Sequence, residues 1–376
     1  MSKRNEDILI TALFCGFLAV MLVCYLVLPH QEFSETEKRY LAEKPALTWE
    51  NLLSGQLGDD IESYMADHIP GRNFFVGLNA WANLVSGRQI TGEIRLLEGN
   101  RLVEAPIEWN PEQIQKNMTT IQGFCAAVDQ DVQLLLVPSA GWASQSPRQT
   151  FLDLFSREIY RDDEIIPDIY ALAGEELTTV DVSELLLGME GAYFRTDHHW
   201  TSQGAYRVYA ALMEQKERYF PDEDAFLVET VEGFYGSTHS RSALWSIPSE
   251  SLELWHSQTR LLVENAEEPG IHEGVFYRNR LEEADKYTVF LDGNHSLVRI
   301  TNPAMAGKGK LLVVRDSYSN LLGTFLAESY ETVILVDLRY YKNPISQLAI
   351  QEGCDEILIA YSLGNFMTDS NIIWLR

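Results

Sequence analysis

The chain of 376 residues is poor in cysteine and in basic side chains, and each shortage closes off a class of function. Of its four cysteines, Cys15 and Cys24 fall in one apolar run, leaving Cys125 and Cys354 as the single pair outside it. Two thiols cannot form the disulfide framework of a small secreted domain, and no cysteine stands at zinc-ligand spacing from a histidine. Lys and Arg number 29 against 55 Asp and Glu, a formal net charge of -26. Nucleic-acid binding needs clustered cations to neutralise phosphates, so nucleic acid is excluded as a partner. The same deficit disfavours docking of the folded part on an anionic membrane surface. The acids are spread without a long like-charge block, so they read as a solvated surface. No internal repeat and no low-complexity segment breaks the chain.

One long apolar run is present. Ile8 to Leu28 holds 21 residues without a charge, and about 20 helical residues span the hydrocarbon core of a bilayer. A cleaved signal has a shorter apolar stretch and a small-x-small site, and this run has neither. Val23 before Cys24 also differs from the small residue of a lipoprotein site. The expectation is an uncleaved N-terminal anchor rather than a buried soluble helix, which polar residues would interrupt. Lys3 and Arg4 precede the run while Lys38, Arg39 and Lys44 follow it, so positive charge does not choose a side. The short leading tail suits a signal anchor with the large domain exported, outside the cytoplasmic membrane.

Beyond the anchor (1–29), residues 30–100 read as a mostly helical segment packing on a main domain that fills 101–376. Ile61, Tyr64, Met65, Phe74, Phe75, Leu78 and Trp81 recur at helical spacing around the Pro70-Gly71 break. Glu98-Gly99-Asn100 joins two short strand-like runs, and Asn110-Pro111 starts a helix with an N-cap and a first-turn proline. Four nearly continuous apolar runs follow, at 132–139, 311–317, 332–338 and 356–362. Such runs suit strands buried on both faces of a parallel sheet. Helices are expected at 320–329 and 344–351, and further strands at "YTVFLDG" and "SLVRI". The alternation predicts an α/β fold with a parallel sheet flanked by helices.

Ligand sites of such sheets gather beyond the carboxyl ends of the strands. "LLVVRDSYSN" puts Ser317 there, at a strand-to-helix turn near the positive end of a helix. A serine nucleophile needs that exposure, although capping of the helix by Ser317, Ser319 or Asp316 is the plainer reading of the segment alone. A serine also needs a base and an acid to orient it. "TDHHW" supplies both: Asp197 and His199 are two apart and can share one side of an extended turn. Thr201 would cap the helix that follows. By alternation His198 points away from His199, and a hydrogen bond that holds the loop is its expected work.

"TDHHW" is the signature of the DHHW family of bacterial membrane-anchored proteins, and "DKYTVFLDGNH", "LLVVRDSYSN" and "VILVDLRYY" resemble the rest of that family's pattern in order. "FSETEKRYL" and "YMADHIPGR" resemble its N-terminal part, so the resemblance covers nearly all of the chain after the anchor. The family is similar in turn to the alginate O-acetylation proteins, whose SGNH-hydrolase-like domain has a flavodoxin-like sheet. The resemblance implies Ser317 as nucleophile, His199 as base and Asp197 as its orienter, in an order permuted from that usual for SGNH enzymes. Arg315 stands where those enzymes have glycine before the Asp-Ser pair, which puts the tightness of the turn in question. Two Gly-Asn pairs offer an oxyanion residue, Gly293-Asn294 and Gly364-Asn365, with Asn294 favoured because its segment belongs to the family pattern.

Around the triad, His198, His239 and Tyr340 are candidates for substrate contact. His239 and His295 otherwise read as solvated surface imidazoles, Trp200 as core, and Arg339 as tied to a carboxylate or carbonyl. The resulting expectation is an exported, membrane-anchored O-acetyltransferase or esterase acting on a cell-envelope or secreted polysaccharide. It needs no metal or soluble cofactor. Acetyl donors are cytoplasmic, so the resemblance implies a membrane-bound O-acyltransferase as partner. Two alternatives stand beside it: a non-catalytic glycan-binding or scaffold protein, and a metal-dependent phosphoesterase built on the Asp-His-His triplet.

Overall fold

A computed structural model describes residues 3–88, 90–91, 93–144 and 160–375. They divide into two compact units, one of residues 1–92 with 240–247, the other of 93–239 with 248–376.

The first unit contains the apolar helix α1 (Lys3–Val27) and the helices α2 (Trp49–Ser54), α3 (Gln56–His68) and α4 (Arg72–Val85). Among the described residues α1 is the one helix long and apolar enough to cross a membrane, by length and composition. Its apolar side chains are exposed along its length, as at Ile10, Leu13 and Val20, so it is not the buried core helix of a soluble protein. Gly77 and Ala80 are the buried positions of α4. Around them the Trp245 indole donates to the Asn73 carbonyl at 2.9 Å, and the Trp81 indole donates to the Ser246 hydroxyl at 3.1 Å.

The second unit opens with an antiparallel hairpin, β1 (Ile94–Leu97) and β2 (Arg101–Glu104), as the turn at 98–100 predicts. Helix α5 (Pro111–Cys125) begins as expected, with the Asn110 side chain accepting from the Gln113 N–H. The strands that follow are β3 (Asp131–Val137), β4 (Leu177–Asp181), β5 (Leu227–Phe234), β6 (Glu250–His256), β7 (Leu262–Asn265), β8 (His272–Glu273), β9 (Leu297–Thr301), β10 (Lys310–Arg315), β11 (Thr332–Val336) and β12 (Glu356–Ser362). Helix α6 (Ser202–Gln215) precedes β5, α7 (Tyr318–Leu326) follows β10, and α8 (Ile345–Glu352) precedes β12.

Eight strands form the central sheet, in the order β8-β7-β9-β11-β10-β12-β3-β4. The five from β11 to β4 are parallel, while β9, β7 and β8 extend one side antiparallel. The sheet is thus mostly rather than wholly parallel. Its inner parallel strands, β11, β10, β12 and β3, are buried on both faces. Val132, Leu134 and Leu136 join one core cluster with α5 and α8, while Leu135 and Val137 join another with α6 and α7. That alternation explains why the sequence runs are continuously apolar.

Counted from β10, the parallel strands run 2-1-3-4-5, the flavodoxin-like order. The chain enters this order part-way, at β3, so the acid and base precede the serine. "SLVRI" forms β9, but "YTVFLDG" does not form a strand. Lys286–Val289 is a short 3-10 helix, and a left-handed turn follows it. Cys125 and Cys354 are buried free thiols.

Candidate active site

Ser317 lies just past β10, where the strand order reverses between β10 and β12. Loops after those neighbouring strands leave on opposite faces of the sheet, which opens a crevice at their carboxyl ends. The turn is held by Asp316, which is buried. Its carboxylate accepts from the Tyr318 N–H at 3.1 Å, and from the Ser362 N–H and the Asn365 amide at 2.8 Å each. Asp316 therefore caps α7, and Ser317 makes no side-chain capping bond. The serine hydroxyl is left for other work. Among the described residues the Ser317 N–H donates to no acceptor.

Arg315 does not loosen this turn. It is the last residue of β10, paired in register with Ala360 of β12, and it does not need the positive φ that favours glycine. Its side chain is wholly buried.

The Asp197–Trp200 segment meets the turn from the other side. His199 Nε2 lies 2.7 Å from Ser317 Oγ, and His199 Nδ1 lies 2.6 Å from Asp197 Oδ1. The carboxylate assigns the proton to Nδ1, so Nε2 accepts from the serine hydroxyl. Tyr287 stacks on the His199 ring, 3.9 Å between centroids and 6° from parallel, which fixes the imidazole plane. Asp197 is buried, and burial alone would raise its carboxyl pKa. The two imidazoles, with hydrogen bonds from the His199 ring and the Ser237 N–H, outweigh burial and hold it well below the usual carboxylate range. Thr201 caps α6 through the Gly204 N–H, as its sequence position predicts.

His198 departs from expectation in direction. The segment bends instead of extending, so its ring lies beside that of His199, with 3.8 Å between centroids. Its Nδ1 lies 2.6 Å from the Ser237 hydroxyl, which ties the loop down. Burial, then the neighbouring imidazole, lowers its pKa and favours the neutral ring.

Several residues that hold this loop carry no local signal in the sequence. Glu250, at the start of β6, accepts the Arg195 and Thr196 N–H groups at 2.7 and 2.6 Å. Gly236 approaches Asp197 so closely that a Cβ there would sit 2.2 Å from Asp197 Cβ. A lone glutamate and a glycine in a turn-rich stretch reveal such roles only after the chain has folded.

Asn294 reaches the Ser317 turn through its carbonyl oxygen, which accepts from Arg315 Nη1 at 3.0 Å and Asn320 Nδ2 at 3.1 Å. The residue itself is exposed. Before it, Leu291, Asp292 and Gly293 have φ of 54, 64 and 85°, three successive left-handed residues. Such backbone costs roughly 1–2 kcal/mol per non-glycine residue and persists where surrounding contacts enforce it. Here Asp292 is clamped by Arg280 Nε at 2.5 Å and His295 Nε2 at 3.2 Å, while Leu291 is wholly buried.

The remaining candidates scatter. His239 is buried, with its ring against Tyr235 and its backbone N–H on the Thr196 carbonyl, so it is not a solvated surface imidazole. His295 is held by Glu267 and Asp292. Tyr340 is exposed, beyond β11 at the same sheet edge as Ser317. Arg339 is paired with Asp337, and Trp200 is fully buried core with its indole N–H on the Tyr318 carbonyl. Ligand atoms of Asp197, His198 and His199 lie within 4.8 Å of one another, a spacing that can hold a metal. The Nδ1 of each ring and the carboxylate already have partners in the protein.

Residues 168–336 match the DHHW protein family. The matched stretch contains both the Asp197–Trp200 loop and Ser317. A solved DHHW family protein from Eubacterium siraeum is similar at a TM-score of 0.65 and 20% identity, over 76% of this chain and 95% of that one. Bacillus cereus PatB1, solved with a sulfonyl adduct, is similar at a TM-score of 0.60 and 16% identity, over 75% of this chain and 98% of that one. These likenesses show the fold alone. No curated protein sequence matches the chain.

Proposed function

We propose that the chain is an extracytoplasmic, membrane-anchored O-acetyltransferase or acetylesterase that acts on a cell-envelope or secreted polysaccharide through an acyl-Ser317 intermediate. The observation that carries this reading is the hydrogen-bonded line from Asp197 through His199 to Ser317, 2.6 and 2.7 Å long at its two links. A hydroxyl becomes a competent nucleophile when a base accepts its proton as it attacks. Ser317 Oγ adds to the acyl carbonyl while its proton passes to His199 Nε2. The imidazolium formed is stabilised by Asp197 and returns the proton to the departing group. Water or a sugar hydroxyl, deprotonated by the same imidazole, then takes the acyl group from the serine.

The carbonyl oxygen gains negative charge at the tetrahedral stage and needs donors aimed at it. The Ser317 N–H and the Asn294 amide fill that role in this proposal. Asn365 is the weaker choice because its amide already donates to Asp316. His198 and exposed Tyr340 are proposed to border the sugar, and buried His239 to back the Asp197 loop. The helix α1 serves as the retained anchor, and a membrane-bound O-acyltransferase supplies acyl groups from the cytoplasmic side.

PatB1 shares this fold and has been solved with a sulfonyl adduct. Sulfonyl electrophiles are trapped by activated nucleophiles, so a sulfonyl fluoride is the fitting probe. The full chain in detergent should release acetate from a chromogenic acetyl ester and take up one sulfonyl group at Ser317. Ser317→Ala should do neither. If the wild type does neither, the reading fails and a glycan-binding scaffold takes its place. Stoichiometric manganese or zinc in the purified protein would support the phosphoesterase instead.

A further inference from the structure

Arg315 is the one fully buried arginine at the nucleophile turn, and its partners raise a question of purpose. The nearest carboxylate, Asp337, lies 3.8 Å from Nη1 and is already bound by Arg339 at 2.6 and 2.9 Å. Arg315 Nε and Nη2 have no hydrogen-bond partner among the described residues. Its good hydrogen bond is the one at 3.0 Å to Asn294 Oδ1, with a long contact of 3.5 Å to the Asp316 carbonyl. Burying a guanidinium with so few partners is costly, so a purely structural role would be better served by an apolar side chain.

The amide orientation follows from donor chemistry. Guanidinium nitrogens only donate, so the Asn294 atom facing Arg315 must be the oxygen. Asn320 Nδ2 donates to the same oxygen at 3.1 Å. Both donors therefore sit on one end of the amide, and the Nδ2 hydrogens point away from them. The left-handed turn at Leu291–Gly293 leads into Asn294, which is itself exposed. A cation on the carbonyl also draws electron density from the amide nitrogen and makes its hydrogens stronger donors.

We infer that Arg315 is a positioning residue that locks and polarises the Asn294 amide, so that Nδ2 is a fixed donor to the oxyanion formed at Ser317. This rests on the acyl-Ser317 reading. It also gives a reason for the arginine that stands where glycine is usual before an Asp-Ser pair.

The test is a double-mutant cycle on the full chain with a chromogenic acetyl ester. Asn294→Ala should lower kcat by roughly a hundredfold, the usual effect of losing one oxyanion donor. Arg315→Met should lower kcat by about tenfold or more with KM within twofold, because the ground state does not use the donor. The double variant should be no slower than Asn294→Ala, since Arg315 acts through that amide. Arg315→Lys, which keeps the charge, should recover part of the loss. Independent, multiplying effects would overturn the proposal, and so would full kcat in Asn294→Ala. If Arg315→Met does not fold, Asn294→Asp decides. Its carboxylate still accepts from Arg315 but has no hydrogen to give, so it should be as slow as Asn294→Ala, and wild-type activity there would overturn the inference. Sulfonylation of wild-type Ser317 separates the two readings. An unlabelled, inactive wild type takes both down, whereas a labelled, active wild type with unaffected variants removes only the role of Arg315.

Discussion

Gly236 and Gly293 lie in two loops that approach the Ser317 turn, and they are glycine for different reasons. Gly236 has an ordinary φ but no room: a Cβ would meet Asp197 Cβ at 2.2 Å and Asp197 Cα at 2.5 Å. Gly293 has more room, with Thr288 Cγ2 at 3.1 Å, but its φ is +85°. The first loop is fixed by close packing and by hydrogen bonds: the Thr196 N–H donates to Glu250, the Gly236 N–H to the Thr196 hydroxyl, and the Ser237 N–H to Asp197. The second is fixed by backbone strain, held in place by the ion pairs of Asp292. A close-packed loop has one arrangement and fails sharply when crowded. A strained turn can relax, so a change there should shift its side chain and leave the fold largely intact.

Five changes would break or sharpen this contrast. The largest effect is expected within the packed loop: His199→Ala or Asp197→Asn should lower kcat/KM roughly ten-thousandfold, with circular dichroism unchanged. Asp197→Asn should also cost stability in a pH-dependent way. The folded carboxyl sits well below the usual range, so its stabilisation is complete above the unfolded value of about 3.9 and is lost as pH falls through the depressed one. Urea unfolding should show the gap between wild type and variant shrinking only below that unfolded value. A constant gap would mean that the charge of Asp197 contributes nothing.

Next comes Gly236→Ala, which should destabilise by about 3 kcal/mol and lower kcat/KM at least about a hundredfold, because backbone and not a pliable side-chain tip must move. An alanine accepted without loss would show the loop to be looser than its packing implies. Gly293→Ala should cost only about 1–2 kcal/mol, the left-handed penalty, and lower kcat about tenfold by shifting Asn294. If it equals Gly236→Ala in stability, the distinction between crowding and strain fails. Smallest is His198→Ala, with a loss of a few-fold at most, since its ring holds Ser237 and does not reach the serine. If His198→Ala abolishes activity and His199→Ala does not, the base has been assigned to the wrong imidazole.

Sequence alone determined whatever depends on local pattern. Both-face burial at 132–137, 311–315, 332–336 and 356–362 is legible because parallel strands covered on both sides must be apolar at every position. The caps at Asn110 and Thr201 are legible because capping is a contact between residues two or three apart. Asp197, His199 and Ser317 stand out by residue type and by their place next to helix starts. Their distance from one another did not: 118 residues separate His199 from Ser317. The tertiary structure also decided the strand order that opens a crevice at Ser317 and the bend that sets His198 beside His199. It made "YTVFLDG" a helical turn followed by left-handed residues, against the β propensity of its Tyr, Val and Phe. The Asp197 loop, for one, is held by a partner far along the chain, Glu250. A local pattern records which face of an element is buried. It does not record which distant carboxylate will hold its loop, because that contact exists only once loop closure has brought the two segments together.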